Sequence, residues 1–418
     1  MRAVVLGGGG LTGRSTVRDL ARTRRFDSIH VADLDLELAR AAARATGDDR
    51  VSAAQVDVRD AESLRAVLRD ADVCVNAVQY TFNLHVMEGC LSAGVSYLDF
   101  GGLFHMTRRQ LELDSRFRDA GLLAIPGLGQ VPGVSNVLAA QSTRDLERVD
   151  SILIRDGWRD LTVGGPEISF TWSPSTFLDE MILDAVVWED GAYRMYPAMS
   201  GAEEYDFPPP VGRTRLYRTL HSEAATLPES LREKHLRHCE WREGGPGIDL
   251  LRTLSLLGLG SEQPVDVRGA SVLPREFLLA LLKREKLLGI PAGVAINDWE
   301  IVDLEVRGLR DGEPLTRHAF GLFPPKPEWG ASATEYVVGV CGAIGAELFL
   351  QKQMQGVGVI PPELSVPAEP FRAALATRGI HTTIVPPEPP LACFRPSEAL
   401  TPGRPEGASR RGVERATH

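Results

Sequence analysis

The 418-residue chain has few cysteines and no excess of positive charge, and its most apolar later stretch, 337–350, is too short to cross a bilayer. Its five cysteines are scattered and include no Cys-x-x-Cys pair, which excludes a disulfide framework and a zinc site of the usual spacing. The net charge of -10 excludes a surface built to bind nucleic acid. The most apolar later stretch, 337–350, contains three glycines and predicts a buried helix. We therefore expect a cytoplasmic protein without a signal peptide that contacts no membrane.

The N-terminal third alternates between β-branched runs and segments with helical periodicity. The predicted strands are 3–6, 28–32, 51–56, 71–77, 95–100 and 122–125, and the predicted helices between them are 12–23, 36–46, 62–68, 84–93 and 111–120. This alternation predicts βαβ units that form a doubly wound parallel sheet.

The pattern changes near residue 148, where strands begin to follow one another with few helices between them. The predicted strands are 149–155, 168–172, 185–189, 193–196, 215–221 and 299–306, with helices at 175–184, 274–288 and 331–355. We predict an α/β protein with a Rossmann domain at 1–130 and a second α+β domain at 131–330 whose sheet is mostly antiparallel. Residues 331–360 are expected to pack back on the first domain, and 395–418 to form a disordered tail.

A glycine-rich turn follows the first predicted strand. Gly8, Gly10 and Gly13 occupy the three positions of a G-x-G-x-x-G pattern, with Leu11 and Thr12 opening the next helix. The first glycine is expected to allow the tight turn, the second a close approach to a pyrophosphate, and the third close packing of helix on strand. The free N–H groups of the helix then favour the anion, which predicts a dinucleotide site.

An acidic residue stands where a dinucleotide site needs one. Asp33 lies twenty residues after Gly13, at the end of the second strand, where a carboxylate accepts both ribose hydroxyls of NAD and repels the extra phosphate of NADP. NAD is therefore the expected cofactor, although the nearby Arg14 and Arg40 leave NADP open.

Residues that end the third and fourth strands complete the expected cofactor site. Asp57 and Val58 end the third strand and are expected at the adenine, although Asp57 is equally placed to cap the next helix. Asn76, Ala77 and Val78 end the fourth strand, where the nicotinamide-side ribose passes.

Longer segments resemble a known family. They are DVCVNAVQYTFNLHVMEGCLSAGVSYLDFGG at 72–102, PGLGQVPGVSN at 126–136, FTWSPSTFLDE at 170–180, LYRTLHSEAATLP at 216–228, GVGVIPPEL at 356–364 and TRGI at 377–380. Together they resemble the saccharopine dehydrogenase family, in particular its lysine 6-dehydrogenase branch. One departure is Gln79, where the family loop often carries proline.

The resemblance implies an NAD-dependent oxidoreductase acting on an amine-bearing carbon of an amino acid, with oxidation of L-lysine as the first activity to test. The alternatives are reductive formation of a secondary amine, as in saccharopine or carboxynorspermidine, and a redox-neutral epimerase or tailoring enzyme that retains NAD. A non-catalytic NAD-binding protein is the alternative from another class. The expected partners are a small amino acid or amine and a second copy of the chain.

Candidate catalytic groups lie at strand ends and in the loops of the resemblance. Asp99 is placed either to hold the substrate amine or to bind backbone N–H groups in the turn that contains Phe100 and Gly101. Tyr80 is a candidate wall for the nicotinamide. His221 is a candidate acid/base or carboxylate ligand, with Glu223 on the same face to orient it if the strand continues.

Other residues are candidates for shaping the substrate pocket. Trp172 and Glu180 are expected to line it, and Arg155 or Arg218 to bind a substrate carboxylate in a bidentate manner. His235 and His238, followed by Cys239, have a spacing that suggests a metal. We interpret that segment as a solvated helix face and expect no metal site.

Overall fold

The computed structural model describes residues 1–164, 170, 173–287 and 294–385. Its first part alternates strands and helices. In chain order these are β1 (Arg2–Leu6), α1 (Leu11–Thr23), β2 (Ser28–Asp33), α2 (Leu36–Arg44), β3 (Val51–Gln55), α3 (Ala61–Leu68), β4 (Val73–Asn76), α4 (Asn83–Ala93), β5 (Ser96–Asp99), α5 (Leu103–Leu111), α6 (Asp114–Asp119), β6 (Leu123–Ile125) and α7 (Val134–Thr143).

The second part begins with a long strand. In chain order its elements are β7 (Arg148–Asp160), α8 (Pro174–Ile182), β8 (Ala185–Glu189), β9 (Ala192–Tyr196), β10 (Ser200–Asp206), β11 (Arg213–Arg218), α9 (Glu223–Ser230), β12 (His238–Gly244), α10 (Ile248–Leu256), β13 (Val265–Val267), β14 (Ala270–Val272), α11 (Pro274–Arg284), β15 (Asp298–Arg310), β16 (Glu313–Phe323), α12 (Ala333–Leu350), β17 (Gly358–Val359), α13 (Pro362–Ser365), α14 (Ala368–Ala376) and β18 (His381–Ile384).

A seven-stranded parallel sheet, here called the Rossmann sheet, has the order β17-β6-β5-β4-β1-β2-β3. This is the predicted doubly wound parallel sheet, with β17 added from the end of the described chain. One helix prediction is wrong, because 111–120 is not continuous: α5 ends at Leu111 and α6 begins at Asp114.

A second sheet of nine strands runs β10-β11-β12-β7-β15-β16-β18, with β8 pairing β12 and β9. All its pairs are antiparallel except β12 with β7, so the predicted mostly antiparallel sheet is confirmed. Two local predictions are wrong. Strand β11 ends at Arg218, before His221, and His238 lies in strand β12 rather than on a helix. The predicted strand 168–172 falls mostly outside the described residues.

Helix α12 is the apolar segment predicted to be buried. Its 18 residues are long and apolar enough to cross a membrane, but 78% of that stretch is buried inside the protein, as in a core helix. A Cβ at Gly339 would lie 2.5 Å from the backbone oxygen of Thr12, and one at Gly342 would lie 2.5 Å from Phe100. These glycines therefore let α12 pack directly against the start of α1 and the Rossmann sheet.

The inner face of the second sheet has two halves. One half is apolar, with Ile152, Ile154, Val302 and Leu304 in the large core shared with α7 and α12. Further along the same strands the side chains of this face line a cavity instead. The site therefore lies where the apolar packing between the two sheets ends.

Candidate active site

The glycine-rich turn has the close packing that a dinucleotide site requires. A Cβ at Gly13 would collide with the backbone oxygen of Gly7, and one at Gly8 would lie 2.7 Å from Val31. A Cβ at Gly10 would meet only the Gly7 oxygen at 3.2 Å, so the turn stays open on the side where a pyrophosphate approaches. The left-handed residue of the tight turn is Gly7, with φ of +68°, one residue before the first glycine of the pattern.

Asp33 ends β2 and holds the turn in place. Its carboxylate accepts the N–H of Gly9 at 3.0 Å and that of Asp35 at 3.1 Å. A surface depression beside it also contains Asp35 and Glu37. The two nearby arginines form ion pairs with acids of the protein: Arg40 pairs with Glu37 at 2.6 Å, and Arg14 pairs with Glu335 at 3.0 Å.

The other predicted cofactor residues divide into lining and supporting groups. Leu11, Thr12, Ala77 and Val78 line the cavity. Asn76 is buried beneath them and acts through the backbone, since its side-chain oxygen accepts the Val78 N–H at 3.4 Å. Its amide nitrogen donates to Asn83 and Tyr97 at 2.9 and 3.1 Å.

Asp57 and Val58 lie away from the cavity. Asp57 is paired with Arg59 at 2.7 Å, and the side-chain hydrogen bonds from Arg59 lower the pKa of Asp57 to about 2. The suggested helix cap is instead Asp60, whose side chain accepts the Glu62 N–H at 2.9 Å. Val58 packs at the edge of the Rossmann core.

The cavity has a volume of about 670 Å³ and joins the two sheets. At one end lie the start of α1 and the residues after β4, and at the other lie side chains of β7, β12 and β15. Phe100 and Gly101 line it, as expected of substrate-binding residues. Its volume suits the reactive half of a dinucleotide together with a small substrate.

Asp99 lies outside this cavity, and its side chain is 1% exposed. Its carboxylate accepts five hydrogen bonds, from the Tyr97 hydroxyl (2.7 Å), the side chains of Gln110 (2.5 Å) and Asn83 (3.1 Å), and the N–H groups of Gly101 (2.8 Å) and Gly127 (2.7 Å). The structure favours the second of the two interpretations, in which Asp99 organises the turn. The expectation that Asp99 holds the substrate amine is therefore wrong, because its carboxylate is already bound within the protein.

His221 lines the cavity in the loop between β11 and α9. Its Nδ1 is hydrogen-bonded to Glu223, which also accepts a hydrogen bond from the Ser135 hydroxyl at 2.6 Å. Its ring stacks on Trp241 with centroids 3.8 Å apart. Burial alone would lower the pKa of His221, but the carboxylates of Glu223, Glu243 and Glu300 outweigh it and raise that pKa.

The predicted relation of His221 to Glu223 holds, but not for the predicted reason. The two residues share no strand face, because Glu223 is the first residue of α9. The turn into this helix brings the carboxylate back to the imidazole. Glu223 is fully buried, so the pair is held in one arrangement.

Four buried carboxyl groups surround the sheet end of the cavity, and we call them the carboxylate cluster. They are Asp156, Glu180, Glu243 and Glu300, with exposed fractions of 2%, 3%, 5% and 8%. Burial, followed by repulsion among neighbouring acids, raises the pKa of Asp156 and of Glu180 well above the ordinary range. Burial also raises the pKa values of Glu243 and Glu300.

Tyr80 also lines the cavity, in the short turn before α4. Its hydroxyl donates to Asp179 at 2.8 Å, and Asp179 pairs with Arg275 at 2.5 Å. Burial and the Asp179 carboxylate raise the pKa of Tyr80, so the phenol stays protonated. Tyr80 therefore connects the Rossmann part to α8 and α11 and forms a wall of the cavity. Trp172 lies outside the described residues.

Neither arginine proposed for a substrate carboxylate reaches the cavity. Arg155 faces the other side of the sheet, where it pairs with Glu203 and Glu305, each at 3.1 Å. Arg218 pairs with Glu240 at 2.7 Å on that same side. Among the described lining residues the only arginine is Arg159, which is exposed at the end of β7.

The sequence reasoning missed three members of the cluster, namely Asp156, Glu243 and Glu300. Each lies two residues along its strand from a buried apolar or aromatic residue of the inner face, and alternation therefore assigns it to that face. That alternation was the available signal. No group of histidines, cysteines and acids in the described part of the chain is arranged to hold a metal.

Comparisons with known proteins agree with this architecture. The family model for the saccharopine dehydrogenase NADP binding domain matches residues 3–125, and that for the saccharopine dehydrogenase C-terminal domain matches 129–380. The turn, the sheets and the cavity thus define an NAD(P)-dependent oxidoreductase of the class that acts on amine-bearing carbons. The chain belongs to the saccharopine dehydrogenase family, as the resemblance predicted.

Individual relatives match most of the chain. Carboxyaminopropylagmatine dehydrogenase from Synechocystis sp. is 25% identical over 91% of this chain and 96% of its own length. Carboxynorspermidine synthase from Vibrio cholerae is 26% identical over 81% and 84%. The apo saccharopine dehydrogenase (L-Glu forming) structure from Saccharomyces cerevisiae, at 19% identity, has a TM-score of 0.70 over 92% of this chain and all of its own, which shows a common fold.

Proposed function

We propose that the protein uses NADH to join an amine to an amino acid semialdehyde, forming a secondary amine. The observation that carries the proposal is the position of His221, which lines the cavity that opens onto the dinucleotide turn and is hydrogen-bonded to the buried Glu223. The two relatives whose names refer to carboxyaminopropylagmatine and carboxynorspermidine support this product class.

The protonation of His221 favours the reductive direction. Its raised pKa increases the protonated fraction of the imidazole, which favours a role as an acid. After the amine nitrogen attacks the aldehyde carbon, an acid must protonate the hydroxyl group so that it leaves as water. The imidazolium of His221 supplies that proton, and Glu223 stabilises its charge. When bound, NADH supplies the hydride for the iminium carbon.

The remaining groups orient the substrate. Arg159 lies at the rim, where a guanidinium can bind the α-carboxylate of the semialdehyde. Phe100 and Gly101 give the cavity an apolar wall beside the turn residues Leu11 and Thr12. An apolar wall excludes water from the iminium carbon, which limits hydrolysis before reduction.

The test is to incubate the enzyme with NADH, aspartate semialdehyde and a panel of amines while recording the loss of reduced-nicotinamide absorbance. We expect turnover that requires both the aldehyde and the amine. The reverse arm uses NAD with L-lysine, the substrate of the lysine 6-dehydrogenase alternative. Faster oxidation of L-lysine than reductive coupling, or no coupling with any amine, contradicts the proposal.

We further propose that NAD(H) is preferred over NADP(H). Asp33 supports this, because its carboxylate lies where a 2′-phosphate would bind, with Asp35 and Glu37 beside it. The Asp33→Asn variant is expected to raise the NADP/NAD ratio of kcat/KM roughly tenfold or more, since like charges no longer face each other. Glu62→Gln, on α3 outside the depression, is the matched control. A wild-type preference for NADPH would overturn the assignment.

A further inference from the structure

The carboxylate cluster contains more acid than the proposed reaction uses. Proton transfer is assigned to His221 with Glu223, and the hydride comes from the cofactor. Asp156, Glu180, Glu243 and Glu300 therefore remain without a part, although all four are at least nine-tenths buried. The one nearby cationic group among the described residues is His221, whose pKa Glu243 and Glu300 raise. Burying four carboxyl groups beside a single imidazole is unfavourable, so their presence in the cavity calls for a reason.

The partners of the cluster within the protein are neutral. Glu300 accepts a hydrogen bond from the Thr334 hydroxyl at 2.7 Å, and Glu243 accepts one from Thr219. No lysine or arginine in the described ranges forms an ion pair with any of the four carboxylates. The hydroxyls orient the carboxylates without neutralising them.

Two polar groups in the cavity have unused hydrogen-bonding capacity. One carboxylate oxygen of Asp156 has no hydrogen-bond partner among the described residues. The Gln130 amide, 1% exposed, lies beside Glu300, and neither of its terminal atoms makes a hydrogen bond of normal geometry with a described residue. Both side chains line the cavity, so both are available to a bound molecule.

Resting on the proposed function, we propose that the carboxylate cluster binds a second cationic group of the amine substrate, one that takes no part in the hydride transfer. An alkyl ammonium or a guanidinium carries a positive charge and several N–H donors, and the four carboxyl groups and the Gln130 carbonyl oxygen can accept hydrogen bonds from them. The enzyme then selects amines with two cationic ends over simple alkylamines. Asp156 and Glu300 are the specificity-determining residues.

The kinetic experiment compares amines of matched chain length with NADH and aspartate semialdehyde. 1,4-Diaminobutane and agmatine present an ammonium and a guanidinium respectively, and butylamine presents neither. We expect kcat/KM for the better dication to exceed that for butylamine by about ten- to hundredfold, the worth of one or two charge-assisted hydrogen bonds. The ranking of the two dications identifies the group that the site prefers.

Asp156→Asn and Glu300→Gln are expected to bring the dication-to-butylamine ratio close to one while butylamine turnover persists. Asp206→Asn, an exposed acid of β10 that does not line the cavity, is the control and should keep the wild-type ratio. A wild-type ratio near one, or equal losses with both kinds of amine in the variants, overturns the proposal.

A binding measurement separates this proposal from the proposed function. The melting temperature of the protein is recorded with and without agmatine or 1,4-diaminobutane, and with butylamine. We expect a rise with a dication that butylamine does not produce and that Asp156→Asn abolishes. If no coupling activity is found but this rise is, the proposed function fails and the subsite stands. Absence of the rise with both dications refutes the subsite.

Discussion

The two faces of the second sheet carry buried acids in opposite electrostatic states. On the outer face burial opposes ionisation of Glu240, but His238, Arg242 and Arg218 outweigh it and lower its pKa to about 2. On the cavity face Asp156, one residue after the outer-face Arg155, has a raised pKa and no cation paired with it among the described residues. Paired acids stabilise the fold, whereas unpaired acids in a cavity are expected to serve a ligand.

The comparison extends along each strand, because successive side chains point to opposite faces. In β12, Arg242 joins the outer-face ion pairs and Glu243 joins the cluster. In β15, Glu305 pairs with Arg155 outside and Glu300 lies inside. In β7 and β12, adjacent residues thus belong to different faces: one joins the outer-face ion pairs and the next joins the carboxylate cluster.

The largest expected effect distinguishes the histidines of the two faces. His221→Asn should lower the reductive kcat about 10²- to 10⁴-fold, because the acid that expels water is lost. His318→Asn, on the outer face beside Asp303, should leave kcat essentially unchanged. The wild-type rate should fall as the pH rises through the raised pKa of His221, and the fall should be absent from His221→Asn. Equal losses in both variants would contradict a special role for the cavity face.

The next effect concerns stability of the outer face. Arg155→Met removes the cation that Glu305 and Glu203 share and leaves them with Arg307 and Arg242 respectively. The loss of these charge-assisted hydrogen bonds should cost roughly 1.5–3 kcal/mol of unfolding free energy. Arg159→Met, an exposed arginine on the same strand, should cost at most about 0.5 kcal/mol. Urea denaturation followed by circular dichroism measures both. A small loss for Arg155→Met would show that the outer-face pairs do not stabilise the fold.

A third prediction concerns pH and the edge of the cavity. Burial raises the pKa of Asp298 to about 7, against an ordinary value of 3.8. The folded protein then binds the proton of the Asp298 carboxyl group more tightly than the unfolded chain does. The contribution of Asp298 to the free energy of unfolding therefore declines as the pH rises from about 4 to 7. Relative to wild type, Asp298→Asn should gain about 1–2 kcal/mol of unfolding free energy across that window, after allowance for solvent screening. Parallel pH profiles for the two proteins would refute the assignment.

The smallest expected effect is a gain in unfolding free energy, opposite in sign to the loss expected for Arg155→Met. Asp156→Asn removes a buried carboxyl group without breaking an ion pair, and it should raise the unfolding free energy of the unliganded protein by about 1 kcal/mol at pH 8. The gain should shrink at pH 5, because lower pH favours the protonated carboxyl group, whose pKa burial raises. Chemical denaturation at the two pH values measures it. Destabilisation at pH 8 would mean that Asp156 is a structural acid, like those of the outer face.

Local sequence signals were sufficient for the dinucleotide half of the site. The turn at Gly8, Gly10 and Gly13 and the acid at Asp33 depend on contacts within one βαβ unit, so their spacing along the chain carries their geometry. The same is true of the alternating strands and helices that form the Rossmann sheet. The family segments added the class of reaction, because they extend through both domains.

The substrate half was decided by tertiary structure. Arg155 and Asp156 are neighbours in sequence, but the pleat of β7 places one in an ion-pair network and the other in the cavity. Asp99 stands at the carboxyl end of a strand, as a ligand-binding residue does, yet it is enclosed by five donors, three of which come from other segments of the chain. His221 and Glu223 meet through the turn into α9 rather than along a strand.

The sequence by itself thus determined the fold class, the dinucleotide turn and the family, since these follow from local periodicity and spacing. Only the tertiary structure decided which buried acids are neutralised and which are left for a ligand. That difference depends on what lies across the sheet from each side chain, and β7, β12 and β15 come from parts of the chain up to about 150 residues apart, as in the pair Arg155–Glu305.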